Sequence, residues 1–175
     1  LVRNMLDIAK LQAMGVEESR KTRFDLGEEL SDVLITFEQK IYNKHLDVRV
    51  DLPDKPAWTR AERDSITQVI YNLIDNAVKF SHPDSLIYIS SLEKHGKVFV
   101  SVKDTGEGIA KDSLNKIWER FYKSDPSRGK DKKGTGLGLS IVKEIIQLHG
   151  ENINVVSTEG VGTEFIFSLS KVEEQ

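Results

Sequence analysis

The chain contains no cysteine, which excludes disulfide scaffolds, cysteine-based zinc sites and thiol nucleophiles and leaves the redox compartment open. No apolar run approaches the roughly 18 residues needed to span a bilayer, and no signal peptide opens the chain. Nor does one sign of charge dominate, since 25 Lys+Arg stand against 28 Asp+Glu for a formal net charge of −3. Such a chain has no global field to hold a phosphate backbone, so no nucleic-acid partner is expected from bulk charge. Internal repeats and low-complexity segments are missing too. What remains is an ordinary globular composition, 38% hydrophobic over 175 residues, enough for one domain with a real core. Because the chain starts on Leu1 in the middle of a helical pattern, it reads as a piece cut from something longer.

Hydrophobic periodicity gives the organisation. Val2, Met5, Leu6 and Ala9 recur at helical spacing over residues 1–14, and Gly15 is the expected stop. Residues 21–24 suit a short edge strand. Asp25 and Glu28 then form a helix start signal, and one helix is expected to about Asn43, burying Leu26, Leu30, Val33, Leu34, Phe37 and Ile41. Leu46, Val48, Val50 and Leu52 alternate with charged residues as a strand stopped by Pro53 and Pro56. Residues 60–80 return to the helical period. Strands are expected over 86–92 and 97–103, joined as a hairpin across Lys94-His95-Gly96. A short helical piece at 113–120, a helix over 137–149 and strands over 152–157 and 163–170 complete the order. Helices interleaved with strand pairs predict an α/β (α+β) fold, a two-layer sandwich of a mixed, mostly antiparallel sheet packed on helices.

Four local features carry chemistry. Asn72, Asn76 and Lys79 lie at i, i+4 and i+7, a polar stripe opposite the apolar one on a single helix. That stripe is either a solvated face or a set of oxygen ligands for a hard cation such as Mg²⁺, with Lys79 on a phosphate and Phe80 beside a flat ring. Asp104-Thr-Gly106-Glu-Gly108-Ile109 follows a strand. It can be a plain turn, or a buried carboxylate that accepts from an exocyclic amine, with glycines that permit close approach to the backbone. Gly134-Thr135-Gly136-Leu137-Gly138-Leu139 runs into a helix, a junction that offers free N–H groups to a phosphate. It lacks the Gly-Lys-Ser/Thr of a P-loop and the buried strand of a Rossmann fingerprint. Residues 120–133 carry six basic residues against two acidic ones, with Pro126 and Gly129 among them, and read as a cationic lid over an anionic ligand.

Taken in order, these pieces resemble the nucleotide-binding domain of bacterial sensor histidine kinases, in the ATPase superfamily (GHKL, Bergerat fold) shared with DNA gyrase, heat-shock chaperones and mismatch-repair ATPases. The N box is similar to Asn72-Leu-Ile-Asp-Asn76-Ala-Val-Lys79-Phe80 and the G1 box to residues 104–109. Ile117-Trp-Glu-Arg-Phe121-Tyr122 resembles an F box, residues 134–139 a G2 box, and Gly160-Val-Gly162-Thr163-Glu-Phe165 the terminal hairpin. The resemblance implies ATP and Mg²⁺ as cofactors. It assigns the adenine amino group to Asp104, with Thr163 in support, and the adenine ring to Phe80, where the family often has Tyr. Mg²⁺ falls to Asn76, with Asn72 as a second candidate ligand, and phosphate to Lys79. The phosphate chain falls to Gly134, Thr135, Gly136, Leu137, Gly138 and Leu139, and the γ-phosphate to Lys123 or Arg128 of the lid. Gly106, Gly108, Ile109, Phe121 and Tyr122 line the same site. Hydrolysing relatives carry Glu where this chain has Asn72. An amide cannot act as that base, so Asn72, Asn76 and Lys79 suit phosphoryl transfer better than hydrolysis.

None of His45, His82, His95 and His149 is followed by an acidic residue, and each reads as an ordinary surface histidine at a boundary or turn. The phosphoacceptor is therefore not expected in this chain. Residues 1–15 resemble the end of the dimerisation hairpin that carries it, 22–171 the catalytic domain, and 172–175 a tail. The expected partners are that dimerisation/histidine-phosphotransfer domain of a homodimeric parent and a response regulator receiver domain. The expected place is the cytoplasmic side of a membrane-bound sensor. The alternatives are an anti-sigma-type serine kinase, or a nucleotide-binding module without catalysis.

Overall fold

The computed structural model describes residues 16–122 and 138–173. The expected helical stub at 1–15 lies outside the described residues. A 3-10 turn at Glu18–Arg20 leads into β1 (Thr22–Asp25), α1 (Leu26–Ile35), α2 (Glu38–Asn43), β2 (Asp47–Asp51), β3 (Trp58–Ala61) and α3 (Arg63–Phe80). After these come β4 (Leu86–Lys94), β5 (Lys97–Asp104), α4 (Gly138–Leu148), β6 (Ile153–Thr158) and β7 (Gly162–Ser170). The main sheet runs β2-β4-β5-β7-β6, and β1 and β3 form a separate antiparallel pair. Every pairing in the main sheet is antiparallel except β2 with β4, which the crossover through α3 makes parallel.

Period-two alternation places Ile87, Ile89, Val98, Val100, Val102, Phe165, Phe167 and Leu169 on one face of this sheet, where all are buried. Against them α3 sets Ile66, Val69, Ile70, Leu73, Ile74 and Ala77, spaced to fall on one stripe. Burying each such large aliphatic side chain is worth about 1.5–3 kcal/mol, so α3 is held in place by packing far more than by helix propensity. It lies between α1 and α4, and its polar stripe is left half-buried at the edge of the layer.

The structure departs from the sequence expectations at three points. The helix expected to run unbroken to Asn43 is divided at Thr36 and Phe37. The Thr36 hydroxyl donates to Val33 O (2.7 Å), and both backbone N–H groups make tight bonds three residues back, which turns Phe37 inward onto the Tyr71 ring at 4.9 Å. Residues 60 and 61, expected at the start of the helix, belong instead to the strand at 58–61. Its pairing with β1 buries Thr59 and Ala61, and so short a run has no periodicity of its own. Residues 113–120 form no regular helix but a ladder of three-residue turns, Ser113 to Ala110, Lys116 to Ser113 and Glu119 to Lys116, with Ile117 inward.

Candidate functional site

A helix leaves its last four carbonyls without intrahelical partners, and at α3 each of them is accounted for. Ala77 O accepts from the Ser81 N–H (3.1 Å) and the Ser81 hydroxyl. Lys44, just beyond α2, donates its ammonium to Val78 O (2.7 Å) and Lys79 O (3.0 Å), where the helix dipole favours a cation. Phe80 O accepts from the Glu107 N–H at 3.3 Å. The end of α3 is thereby tied to the turn that follows β5, and Lys79, Phe80 and Asp104 are fixed relative to one another.

Gly106 makes that junction possible, because a Cβ there would lie 2.2 Å from Phe80 O. Gly108 does the same on the other side of the turn, with φ +71° and a Cβ position 2.2 Å from Thr158 O. On these sides the close approach that the glycines permit is made by the chain's own backbone.

Asp104 ends β5 with only 6% of its surface exposed. Burial pushes its carboxyl above the usual carboxylate range, and the Glu107 charge adds to this. The Gly106 N–H (2.9 Å to Oδ1), the Thr163 N–H and the His82 charge pull the other way. Among the described residues no Lys or Arg pairs with it. Thr163 stands opposite Asp104 in the β5–β7 register. Its hydroxyl lies 2.9 Å from Ser157 Oγ, which also accepts the Ile109 N–H (2.8 Å) and donates to Gly162 O (3.0 Å). Ser157 was not among the expected site residues. Its signal was a hydroxyl in the inward row of β6, after Ile153 and Val155.

On α3, the Asn72 amide is engaged at both ends. Its Oδ1 accepts from Gln68 Nε2 (2.9 Å) and its Nδ2 donates to Gly138 O (3.3 Å), so it ties α3 to the first residue of α4. Among the described residues none hydrogen-bonds the Asn76 side chain. The Lys79 ammonium rests on Asp75 Oδ2 at 3.2 Å. Leu139 packs on the core, and Ile109 does likewise. Phe121 is exposed with φ +63°, an unusual backbone for an aromatic residue, and the Tyr122 hydroxyl donates to Ser113 Oγ at 3.0 Å. Trp118 meets Phe165 edge to face at 5.8 Å, and the Lys143 ammonium of α4 lies 5.0 Å from the Trp118 ring centre. Lys123, Arg128, Gly134, Thr135, Gly136 and Leu137 lie outside the described residues.

The structure therefore ties the end of α3 to the turn after β5 and to the buried Asp104, which pairs with the start of β7. Through Asn72 it also ties α3 to the start of α4. On α3 lie an Asn76 amide with no hydrogen-bond partner among the described residues and the half-buried Lys79. Among the described residues no group of three or more His, Asp or Glu side chains could hold a metal ion. His149 is not the surface histidine expected from the sequence. It is half-buried, its Nδ1–H donates to Ile145 O (2.8 Å) and its Nε2 accepts the Glu62 N–H (3.2 Å), while burial lowers its pKa.

Residues 61–173 match the histidine kinase-, DNA gyrase B- and HSP90-like ATPase family. The sensor protein SrrB of Staphylococcus aureus (strain MRSA252) is 37% identical over 173 residues, which is 99% of this chain and 29% of that protein. The chain thus spans under a third of the length of the curated relatives it matches. The nucleotide-free catalytic domain of histidine kinase ThkA superposes with a TM-score of 0.76 at 34% identity, covering 86% of this chain and 95% of that one. ThkA in complex with the response regulator TrrA gives 0.73 at 28% identity, over 98% and 48% of the two chains. Full-length ShkA in complex with AMPPNP gives 0.84 at 27% identity, over 99% of this chain and 35% of that one.

Proposed function

The chain belongs to the histidine kinase-, DNA gyrase B- and HSP90-like ATPase family, and from that membership we propose that it is the ATP-binding catalytic domain of a two-component sensor histidine kinase. It transfers the γ-phosphoryl group of ATP to a histidine on a separate dimerisation hairpin, for onward transfer to a receiver aspartate. The observation that carries this is Asp104, a buried carboxylate with backbone N–H donors and no cationic partner among the described residues, at the end of a strand that meets the N-box helix. A carboxylate buried with two N–H donors but no cation is costly, and an exocyclic amine is a ligand group that would satisfy its remaining lone pairs.

In this reading Asp104 accepts from the adenine amino group with Thr163 in support. Phe80 packs on the adenine ring, and Ile109, Phe121, Tyr122 and Leu139 border it. Lys79 meets phosphate, and residues 134–138 with Lys123 or Arg128 complete the phosphate side. Mg²⁺ fits the donor set, since it takes oxygen ligands and the Asn76 amide is unengaged among the described residues. Asn72 is the weaker candidate ligand, its oxygen being already taken by Gln68. Bound there with ATP, the ion neutralises phosphate charge. Because Asn72 is an amide where hydrolysing relatives carry a base, it holds α4 in place without activating water, and transfer to the histidine outruns hydrolysis.

The likeness to SrrB over 99% of the chain supports the sensor-kinase assignment, and the ThkA complex with TrrA supports a receiver partner. Residues 1–15 then belong to the dimerisation domain of a homodimeric parent, 22–171 to the catalytic domain and 172–175 to a tail. Among the described residues no helix is long and apolar enough to cross a membrane, and the domain is assigned to the cytoplasmic side of a membrane sensor. Calorimetric titration with ATP and ADP should give Mg²⁺-dependent binding, and labelled ATP should phosphorylate a separately supplied histidine hairpin. A chain that binds no adenine nucleotide would overturn the assignment.

A further inference from the structure

We propose that Ser157 is a specificity-determining residue, which selects an amino-bearing nucleobase by fixing the direction of the Thr163 hydroxyl proton. The proposal rests on the nucleotide-binding function above and deepens it.

A serine hydroxyl has one proton to donate and two lone pairs to accept with. Ser157 Oγ has three polar neighbours. The Ile109 N–H at 2.8 Å can only donate and Gly162 O at 3.0 Å can only accept, so all three contacts form together only when the Ser157 proton is on Gly162 O. The third neighbour, Thr163 Oγ1 at 2.9 Å, is then hydrogen-bonded only if Thr163 is the donor. The single Thr163 proton is in this way committed to Ser157, and the hydroxyl turns only lone pairs to anything else. Thr163 is 7% exposed, lies opposite Asp104 in the β5–β7 register and gives its N–H to the Asp104 carboxylate. Both side chains are therefore acceptors toward a ligand.

Two acceptors side by side fit a group with two N–H hydrogens, such as the amine on C6 of a purine. A C6 carbonyl would meet lone pairs alone. Without Ser157 the Thr163 hydroxyl is free to rotate and donate, and a carbonyl is then tolerated. A site built to hydrogen-bond one group rejects its analogue strongly, so control of one proton translates into nucleobase choice.

The test compares ATP with inosine 5′-triphosphate, which carries a carbonyl at C6, by calorimetric titration of the whole chain and its Ser157→Ala, Ser157→Thr and Thr163→Val variants. The wild type should prefer ATP. Ser157→Ala should shrink the ATP-to-inosine ratio roughly three- to tenfold, Ser157→Thr should keep it, and Ser157→Ala should add nothing in a Thr163→Val background. If Ser157→Ala does not fold, Ser157→Cys, whose thiol is a weak donor and acceptor, is expected to shrink the same ratio. Equal weakening of both nucleotides in the Ser157 variants would overturn the proposal, as would a wild type that binds the two alike. A wild type that binds neither overturns the nucleotide-binding function itself.

Discussion

Replacing Gly106 by alanine tests the junction on which the site is built. The new Cβ would lie 2.2 Å from Phe80 O and 2.9 Å from both Phe80 C and Asp104 Oδ1. Non-bonded heavy atoms prefer about 3.5 Å, so more than 1 Å must open between the turn and the end of α3. Neither side yields easily: Phe80 O is backbone at the foot of a helix whose preceding carbonyls are held by Ser81 and Lys44, and Asp104 is fixed within β5. Overpacking of this kind costs about 1–3 kcal/mol, and loss of the Glu107 to Phe80 hydrogen bond adds about 1 kcal/mol. For a domain of this size the sum, about 2–4 kcal/mol, lowers the thermal midpoint by roughly 4–15 °C. Since the methyl group also pushes against the Asp104 carboxylate, adenine-nucleotide affinity should fall along with stability. Calorimetric melting and nucleotide titration of the same sample read both effects. A G106A chain with the wild-type midpoint and affinity would refute the claim that this glycine is needed for the approach of α3.

The same substitution at Gly27 should act in the opposite direction: a Cβ there meets Asp25 Oδ1 at 3.4 Å and Leu52 at 3.6 Å, so Gly27→Ala should gain up to about 1 kcal/mol of helix propensity in α1 and raise the melting midpoint. Lys44→Met removes the cation from Val78 O and Lys79 O and should cost about 1–2 kcal/mol in urea unfolding, where an unmoved midpoint would contradict the capping role. Asp104→Asn should weaken ATP roughly 10–100-fold by removing a charged acceptor while stabilising the nucleotide-free fold at neutral pH. Burial raises the Asp104 pKa in the folded chain, so between the unfolded and folded pKa values the folded chain binds more protons and wild-type stability falls as pH rises. The advantage of the Asn variant must therefore grow from acidic to neutral pH in denaturant titrations, and an advantage independent of pH would rule out the buried charge as its source.

Much of this fold is legible in the sequence because one period usually dominates a segment. The stripe Ile66, Val69, Ile70, Leu73, Ile74 and Ala77 is strict enough to fix α3, and Ile87, Ile89, Val98, Val100 and Val102 alternate cleanly enough to fix β4 and β5. Where tertiary contacts set the geometry, the sequence is silent. Thr36 and Phe37 carry no breaker, and the chain turns there because Phe37 finds Tyr71, 34 positions away. Residues 58–61 are strand only because β1 is there to pair with them. In the site, the boxes locate Asp104, Asn76 and Thr163, but the groups that hold them are not in any box. Lys44 reaches the end of α3 across 34 positions, and nothing around it in the chain marks it as a cap. His149 likewise looks like a terminal histidine until Glu62 is brought to its ring.

Several unfavourable features of the domain fall on groups proposed above to meet the nucleotide, although Arg20, Trp58, Ser65 and Ser91 in the framework also bury a polar atom without a partner among the described residues. Asp104 is buried and pushed above its usual range, Phe121 holds a left-handed backbone while exposed, and the Asn76 amide lies half-buried in a helix with no hydrogen-bond partner among the described residues. By contrast the last four carbonyls of α3 all have donors, and Ser157 uses its donor and both of its acceptor positions. A costly group kept at a binding site is expected where sequence has been shaped by binding as well as by folding, and at Asp104 it fixes the direction in which binding energy flows. The Gly106 and Thr163 N–H groups already occupy part of the Asp104 carboxylate, which leaves only its remaining lone pairs for a ligand. A ligand that brings N–H hydrogens to those lone pairs relieves the cost of burying the carboxylate, and one that brings a carbonyl increases it. The same cost that weakens the empty fold is thus what discriminates between ligands in the filled one.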